Sequence, residues 1–189
     1  PAKPVLVRTT PDSPSNSSAK PAVVGTAESG STVKLYKSRS CTGQVAAAVV
    51  AADGQFSKEL NVAENATTQF SATTTDLAGN TSACSDSISF VHDSNAPGAP
   101  SLTSTTPSSP GSVRKPTVHG SAEAGAAVKI YKLSNCTELL GTGSAGDPGD
   151  FAIELTTALP SNVESSLYAQ ATDAAGNVSG CSSGVAYEH

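Results

Sequence analysis

Apolar and polar residues alternate in short runs along most of the chain, and turn-forming residues separate these runs. In Thr32–Lys37, Val33 and Leu35 fall on one face and Lys34 on the other. The β-branched segment Thr67–Thr75 alternates in the same way. A period of two residues predicts strands, and no run keeps a 3.6-residue period long enough for a sizeable helix. The pattern therefore predicts an all-β protein.

The first half of the chain contains about seven such runs, which is typical of a β-sandwich, and six of them recur in the second half. Those in the first half are Pro4–Thr10, Lys20–Thr26, Thr32–Lys37, Val45–Ala51, Phe56–Val62, Thr67–Thr75 and Ser85–His92. Those in the second half are Pro116–Gly120, Ala127–Lys132, Leu139–Ser144, Phe151–Thr156, Ser166–Thr172 and Ser183–Tyr187. The apolar run Val45–Ala51 is the one that we expect to be a buried strand. Pro4 limits the first run to a sheet edge.

The chain consists of two copies of one unit with a period of about 96 residues. The segment DLAGNTSAC at 76–84 recurs as DAAGNVSGC at 173–181. Relative to the first copy, the second lacks one residue in the stretch that corresponds to 14–21, and it gains two in the stretch that corresponds to 56–76. A unit of this length suits an independent domain. We therefore predict domains at 1–93 and 100–189, joined by a linker at 94–99.

Composition and charge exclude several classes of protein. The chain has no Trp and no Met and only 4% aromatic residues, so its cores must be small and largely aliphatic. Its net charge of -5 is spread without a run of either sign, unlike the basic face that nucleic-acid binding requires. No apolar stretch is long enough for a membrane helix, so we expect no membrane insertion of this fragment. No nucleophile elbow or phosphate-binding loop is present, so we expect no enzyme activity.

Three motifs carry a resemblance to a known family. They are GTAESGSTVKLY at 25–36, DGQF at 53–56 and DLAGN at 76–80, and each has a counterpart in the second copy. With these motifs the chain resembles the tandem bacterial Ig-like modules of large surface adhesins over nearly its whole length. The resemblance implies two tandem Ig-like β-sandwich domains in an exported bacterial protein. The cysteines depart from the commonest version of these repeats, which lacks cysteine.

The four cysteines occur two per repeat and lie near no histidine in sequence, which favours disulfides over a zinc site. We expect the pairs Cys41–Cys84 and Cys136–Cys181, with free thiols or bonds between chains as the alternatives. On the chain-entropy model each loop contributes about 4 kcal/mol. A simple sandwich would place Cys41 and Cys84 at opposite ends. The pairing therefore requires either that the loop Ser38–Gly43 folds back along the sheet or that the strands end elsewhere.

The Asp-x-Ala-Gly-Asn turns have two explanations. The local one is that Asp accepts a bond from its own backbone two residues on, Gly takes a positive φ and Asn tolerates the left-handed region. The other is calcium, which binds carboxylate, amide and carbonyl oxygens. In an Ig sandwich, the loop after the second strand and the loop before the last strand lie at the end where the chain enters. The resemblance to the adhesin modules implies that calcium binds at the junctions between domains. The predicted interdomain ligands are Asp93, Asn95, Glu123 and Asp173, with Glu28 and Asp76 as half of an equivalent site.

We expect this fragment to be a non-enzymatic stalk or spacer in a longer repeat array at the bacterial cell surface. Its predicted partners are neighbouring Ig-like repeats in the same chain. Two alternatives stay open. One is a binding module that recognises a glycan or protein receptor through its end loops, and the other is an accessory domain of a secreted hydrolase.

Overall fold

The computed structural model describes residues 1–189, which form strands joined by turns and loops. It contains no helix, and hence none long and apolar enough to cross a membrane. The chain divides into two compact units, Pro1–Ser94 and Asn95–His189, which we call domain 1 and domain 2.

Domain 1 is a sandwich of two antiparallel sheets. Its strands are β1 (Val5–Thr10), β2 (Ala22–Thr26), β3 (Thr32–Tyr36), β4 (Val45–Val50), β5 (Gln55–Glu59), β6 (Ala66–Thr75) and β7 (Ile88–His92). One sheet has the order β1-β2-β5 and the other the order β4-β3-β6-β7. The proline-flanked β1 is an edge strand, as Pro4 predicts.

Domain 2 repeats this arrangement strand for strand. Its strands are β8 (Ser101–Thr106), β9 (Thr117–Ser121), β10 (Ala127–Tyr131), β11 (Leu139–Ser144), β12 (Asp150–Glu154), β13 (Glu164–Thr172) and β14 (Val185–Glu188). Its sheets have the orders β8-β9-β12 and β11-β10-β13-β14. The prediction for the second half missed β8. The all-β fold with about seven strands per domain is confirmed.

Alternation along the strands builds the two cores. On β3, Val33 and Leu35 are fully buried whereas Lys34 is exposed, because successive side chains point to opposite faces. The core of domain 1 gathers three Phe residues among aliphatic side chains: Phe56, Phe70 and Phe90. The core of domain 2 is richer in Leu and Ile and contains Phe151 and the fully buried Tyr187.

The apolar run Val45–Ala51 is not the buried strand that the sequence predicted. β4 pairs with β3 alone, so it is the edge of its sheet. Val45 is 40% and Val50 58% exposed, and Ala51, just past the strand, is the one residue of the run that is fully buried. The prediction was wrong because apolar composition does not distinguish a central strand from an edge strand.

The chain enters and leaves domain 1 at opposite ends. Val5 at the start of β1 is paired with Thr26 at the end of β2, and Thr32 at the start of β3 is paired with Thr75 at the end of β6. We call this end the N-terminal pole. His92 at the end of β7 is paired with the start of β6, which defines the C-terminal pole. The loops after β2 and after β6 therefore lie where the chain enters.

Domain 2 has the same polarity. Ser101 pairs with Ser121, and Ala127 pairs with Thr172, so the Glu123 and Asp173 loops lie at its N-terminal pole. Glu188 at the end of β14 pairs with the start of β13 at the C-terminal pole.

Candidate functional site: the Asp-Asn turns and the disulfide segments

The turn after β6 is closed by a mutual bond between Asp76 and Asn80. The backbone amide of Asn80 donates to Asp76 Oδ1 at 2.8 Å, and its side-chain amide donates to Oδ2 at 3.0 Å. In return, the Asp76 amide donates to the Asn80 carbonyl at 3.0 Å. Gly79 takes a φ of 87°, where a Cβ would be strained.

The turn after β13 repeats these bonds. Asp173 Oδ1 accepts the amides of Ala175 at 2.8 Å and Asn177 at 2.9 Å, and Oδ2 accepts the Asn177 side-chain amide at 2.9 Å. Gly176 takes a φ of 90°. The bond from Ala175 is the one that the sequence predicted, since it reaches the aspartate from two residues on. The expected left-handed Asn is not found, because neither Asn80 nor Asn177 has a positive φ.

The hydrogen bonds also set the charge of the two aspartates. The side-chain and backbone amides of Asn80 lower the pKa of Asp76, because they stabilise the ionised carboxylate. Burial raises the pKa of Asp173, but the bonds from Asn177, Ala175 and Gly176 outweigh it, so the net shift is downward. Both turns therefore favour the ionised form of their aspartate.

The two loops at the N-terminal pole of domain 1 meet, as the sandwich topology predicts. Glu28, Ser29, Asp76 and Leu77 line a shallow cleft of ≈ 250 Å³ between them. The Glu28 carbonyl accepts the Ser31 hydroxyl at 2.6 Å, which holds its loop in place.

The predicted calcium ligands differ in their hydrogen-bond partners and in their exposure. The amide of Asp93 donates to the Ser15 carbonyl at 3.1 Å, and the Glu123 carbonyl accepts the amide of Ala126 at 3.0 Å. Asn95 is exposed. No three His, Cys, Asp or Glu side chains form a group that could hold a metal ion. The structure thus gives Asp76 and Asp173 a role within their own turns, and calcium stays a prediction.

The segment that follows each turn pairs with the sheet through serine hydroxyls. In domain 1 the amides of Thr74 and Ala72 on β6 donate to Ser82 Oγ at 3.0 Å and Ser85 Oγ at 2.9 Å. The Ser82 and Ser85 amides return the bonds to the carbonyls of the same two residues. Because hydroxyls replace carbonyls in this pairing, the regular strand begins only at Ile88, later than predicted.

Domain 2 contains the same pairing of strand amides with serine hydroxyls, which we call the serine ladder in both domains. The amides of Ala171 and Ala169 donate to Ser179 Oγ at 2.9 Å and Ser182 Oγ at 2.8 Å. Sequence reasoning missed these four serines. The signal that could have found them is the Ser-x-Cys-Ser spacing shared by both repeats, at 82–85 and 179–182.

A disulfide joins Cys41 to Cys84, with their Cα atoms 5.8 Å apart. The loop after β3 folds back over β6, where the Cys41 amide donates to Ser71 Oγ at 2.9 Å. Cys84 lies between the two ladder serines on the other side of β6. Both alternatives hold in the structure, because the loop after β3 folds back and the last strand begins at Ile88 instead of Ser85. Cys41 takes a φ of 53° in the folded-back loop.

The equivalent disulfide in domain 2 joins Cys136 to Cys181 with the same Cα separation of 5.8 Å. Cys136 also has a φ of 53°, and its amide donates to the Leu133 carbonyl at 2.9 Å. Its Sγ lies 3.6 Å from the Ala169 carbonyl oxygen on β13. Each disulfide thus crosses over the long strand of its sheet and links the segments on either side.

A family model described as the bacterial Ig domain matches residues 10–89 and again 96–187. The chain belongs to this family. The two bacterial Ig domains cover most of the sequence and coincide with the two sandwiches. No curated protein matches the chain in sequence.

The bacterial Ig domains are also similar to several solved structures. One, titled "Biofilm associated protein - BSP domain", is 19% identical with a TM-score of 0.36, over 88% of this chain and 27% of that one. A tetra-tandem repeat in the extending region of a large adhesion protein is 15% identical, with a TM-score of 0.39, over 98% and 49%. Fibronectin(III)-like modules of Clostridium thermocellum CbhA are 13% identical, with a TM-score of 0.47, over 89% and 84%. The chain spans about a quarter of the length of the first of these structures.

Proposed function

We propose that the chain is a non-catalytic spacer in the stalk of an exported bacterial surface protein. The observation that carries this proposal is the polarity of each domain, in which the chain enters at one pole and leaves at the other. A pull on neighbouring repeats therefore passes through the length of each sandwich. The family membership and the repetition of one unit support the same role.

The last strand of each domain is fastened to the segment after the first strand. In domain 1 the Val91 amide donates to Ser13 Oγ at 2.9 Å, the Ser15 amide to the Val91 carbonyl at 3.0 Å, and the Asp93 amide to the Ser15 carbonyl. This pairing is parallel. A load on both ends of the domain would slide the two segments past each other, so that all three bonds resist together.

Domain 2 contains the matching fastening. The Glu188 amide donates to Ser109 Oγ at 3.0 Å, and the Gly111 amide donates to the Glu188 carbonyl at 2.8 Å. The buried Tyr187 hydroxyl adds a bond to the Val113 carbonyl at 2.7 Å. Two domains with the same load path are what a spacer requires.

Each disulfide limits how far its domain can extend. The bonds close loops with sequence separations of 43 and 45 residues, which a load cannot stretch while the disulfide is intact. At about 3.4 Å per extended residue, each loop hides roughly 150 Å of chain. We propose that this keeps the stalk from lengthening if a sandwich opens.

Single-molecule force measurements on the 189-residue chain test the proposal. We expect two unfolding peaks under oxidising conditions, and the length gained at each should increase by about 150 Å after reduction. Cys84→Ser should reproduce that increase for one peak only, which makes the other domain the control. Opening of the oxidised chain without a resolvable force peak would show that the domains do not carry load.

We also propose that the chain binds calcium, with the predicted ligands Asp93, Asn95, Glu123 and Asp173. A carboxylate has about four acceptor positions, and Asp173 Oδ2 accepts one described bond, so the side chain keeps capacity for a cation. Calcium should raise the thermal midpoint, and EDTA should reverse the shift in wild type but not in Asp173→Asn. An unchanged thermal midpoint would exclude the calcium proposal and leave the spacer role intact.

Two alternative functions remain predictions: recognition of a receptor through the end loops, and an accessory role beside a hydrolase.

A further inference from the structure

The edge strand β4 of domain 1 has an unusual composition for its position. Its sequence VAAAVV contains no charged residue and no proline, although these are the common means by which proteins prevent edge strands from pairing with other chains. Its pairing with β3 shifts register near its start, opposite Leu35 and Tyr36, and is regular from Ala47 to Val50. This regular part can therefore accept a further strand.

The hydrogen-bond pattern shows which groups of β4 face outward. The Ala51 amide donates to the Ser31 carbonyl and the Ala51 carbonyl accepts the Gly30 amide, both at 2.9 Å, so Ala51 turns its backbone toward β3. Residues of an antiparallel strand alternate in this respect. Ala48 and Val50 consequently point their amides away from β3. The Val50 carbonyl accepts the Ala52 amide, so the Ala48 amide and carbonyl and the Val50 amide are the groups open to a new strand.

The start of the equivalent edge in domain 2 is covered, at the position of β11 that corresponds to Ala46 of β4. The amides of Thr156 and Thr157 donate to the Leu140 carbonyl on β11 at 2.8 Å and 3.2 Å, and Thr156 Oγ1 adds a bond at 2.9 Å. Gly141 and Gly143 of β11 also let this strand approach β12 closely, since a Cβ on Gly143 would lie 2.7 Å from Ile153 Cγ1.

The covering residues come from the two-residue insertion that distinguishes the repeats. In domain 1 the Leu60 and Val62 amides donate to the carbonyls of Pro21 and Ala19. In domain 2 the matching bonds start from Leu155 and Leu159, so two extra residues lie between them. Domain 1 lacks these residues, and no backbone bond joins β4 to the segment after β5.

A basic groove of ≈ 530 Å³ fills the corresponding place in domain 1. It is lined by the first half of β4, by the segment after β5 and by three lysines: Lys20, Lys37 and Lys58. Glu59 is the one acidic residue that lines it. Lys58 takes the position that Ile153 has in domain 2, by their matched pairing with β2 and β9. The groove thus places positive charge beside Val45–Ala47, next along β4 to the open groups of Ala48 and Val50, within a chain whose net charge is -5.

We propose that the open edge of β4 binds an extended acidic polypeptide segment, which adds to the sheet as a fifth strand. Main-chain bonds to Ala48 and Val50 provide the attachment, and carboxylates next to Lys37 and Lys58 provide the preference for acidic sequences. A second copy of this chain is a poorer occupant, because pairing two β4 edges would bring two sets of lysines together.

Peptide titration of the ¹⁵N-labelled full chain tests this site. The probe is a capped peptide that alternates Val and Glu, and its control alternates Val and Lys. We expect the acidic peptide to cause saturable shifts and slower amide exchange at Ala48 and Val50, weakening with salt, while the lysine peptide causes neither. Absence of these changes with the acidic peptide, or equal binding of the lysine peptide, would overturn the proposal.

Variants of the full chain separate charge from edge pairing. Lys37→Glu/Lys58→Glu should weaken acidic-peptide binding by about tenfold, through lost attraction and new repulsion. Lys115→Glu/Lys129→Glu makes the same charge change in domain 2 and should leave binding unchanged. If both double variants weakened acidic-peptide binding equally, the proposed binding site at β4 would be overturned.

Two further variants block the edge and its groove. Ala48→Pro removes an outward amide, and a Thr-Thr insertion after Asn61 copies the cover of domain 2, which would fill the groove beside Ala46. Either should abolish binding, with the hydrogen exchange of β6 showing that the fold is kept. Concentration-dependent dimers in sedimentation velocity that Ala48→Pro abolishes would instead identify a second copy as the occupant and overturn the acidic-peptide proposal.

Discussion

Domain 1 and domain 2 share the same sandwich and the same stabilising contacts, and they differ at one sheet edge. The aspartate turn, the serine ladder and the disulfide repeat with the same partners in both. At the start of that edge, however, the Leu140 carbonyl of β11 accepts bonds from Thr156 and Thr157, whereas the start of β4 lies open beside three lysines. The difference teaches that two residues inserted in one loop can decide whether the start of a sheet edge is covered, while the rest of the sandwich stays the same.

The largest effect should come from the disulfides and should be equal in both domains. Replacing Cys41 and Cys84 by Ser should destabilise domain 1 by about 4 kcal/mol on the chain-entropy model, and the Cys136/Cys181 pair should do the same in domain 2. Denaturant unfolding followed by peptide-resolved hydrogen exchange measures each domain separately. Clearly unequal losses of unfolding free energy would show that the disulfides do not stabilise the two domains equally.

A reciprocal exchange at the edges should destabilise both domains, by a smaller amount. Gly143→Val would drive a side chain into Ile153 and cost about 2 kcal/mol, since overpacking is rarely relieved in full. Val49, which pairs with Val33 as Gly143 pairs with Val128, packs against the core of domain 1. Val49→Gly should cost about 1 kcal/mol through lost burial. If Gly143→Val proved neutral, the close approach of β11 and β12 would not explain the glycine.

Removing one ladder serine should have a similar or slightly smaller effect in each domain. Ser85→Ala and Ser182→Ala leave the buried amides of Ala72 and Ala169 without an acceptor, at a cost of about 1.5 kcal/mol. Ser87→Ala is the matched control, because Ser87 is exposed. Equal denaturation midpoints for Ser85→Ala and the control would show that the ladder does not stabilise the fold.

Acid should have the smallest effect and should again act on both turns. The pKa values of Asp76 and Asp173 are lowered in the folded state, so their contribution to stability is present above the ordinary value of 3.8 and is lost as the pH falls through the folded pKa. Asp76→Asn and Asp173→Asn should each flatten the acid limb of the stability curve of their own domain. A curve unchanged by both substitutions would contradict the role assigned to the ionised turns.

Some of the site could be predicted from local sequence and some could not. The Asp-x-Ala-Gly-Asn turn is a local structure, so its aspartate–amide bond and its glycine φ followed from residue type. The positions of Cys41 and Ser85 depend on how the loop after β3 folds across β6, which is a contact between distant segments. Val45–Ala51 was misjudged for a related reason, since composition does not reveal how many neighbours a strand has.

The sequence alone determined that this is a tandem all-β protein, because residue periodicity, turn residues and the internal repeat are properties of neighbouring positions. It also contained the two-residue insertion, but with no indication of its use. Only the tertiary structure showed that the insertion covers the start of β11 and that its absence leaves the start of β4 open beside Lys20, Lys37 and Lys58. Such a surface arises when segments far apart in the chain meet in the folded sandwich.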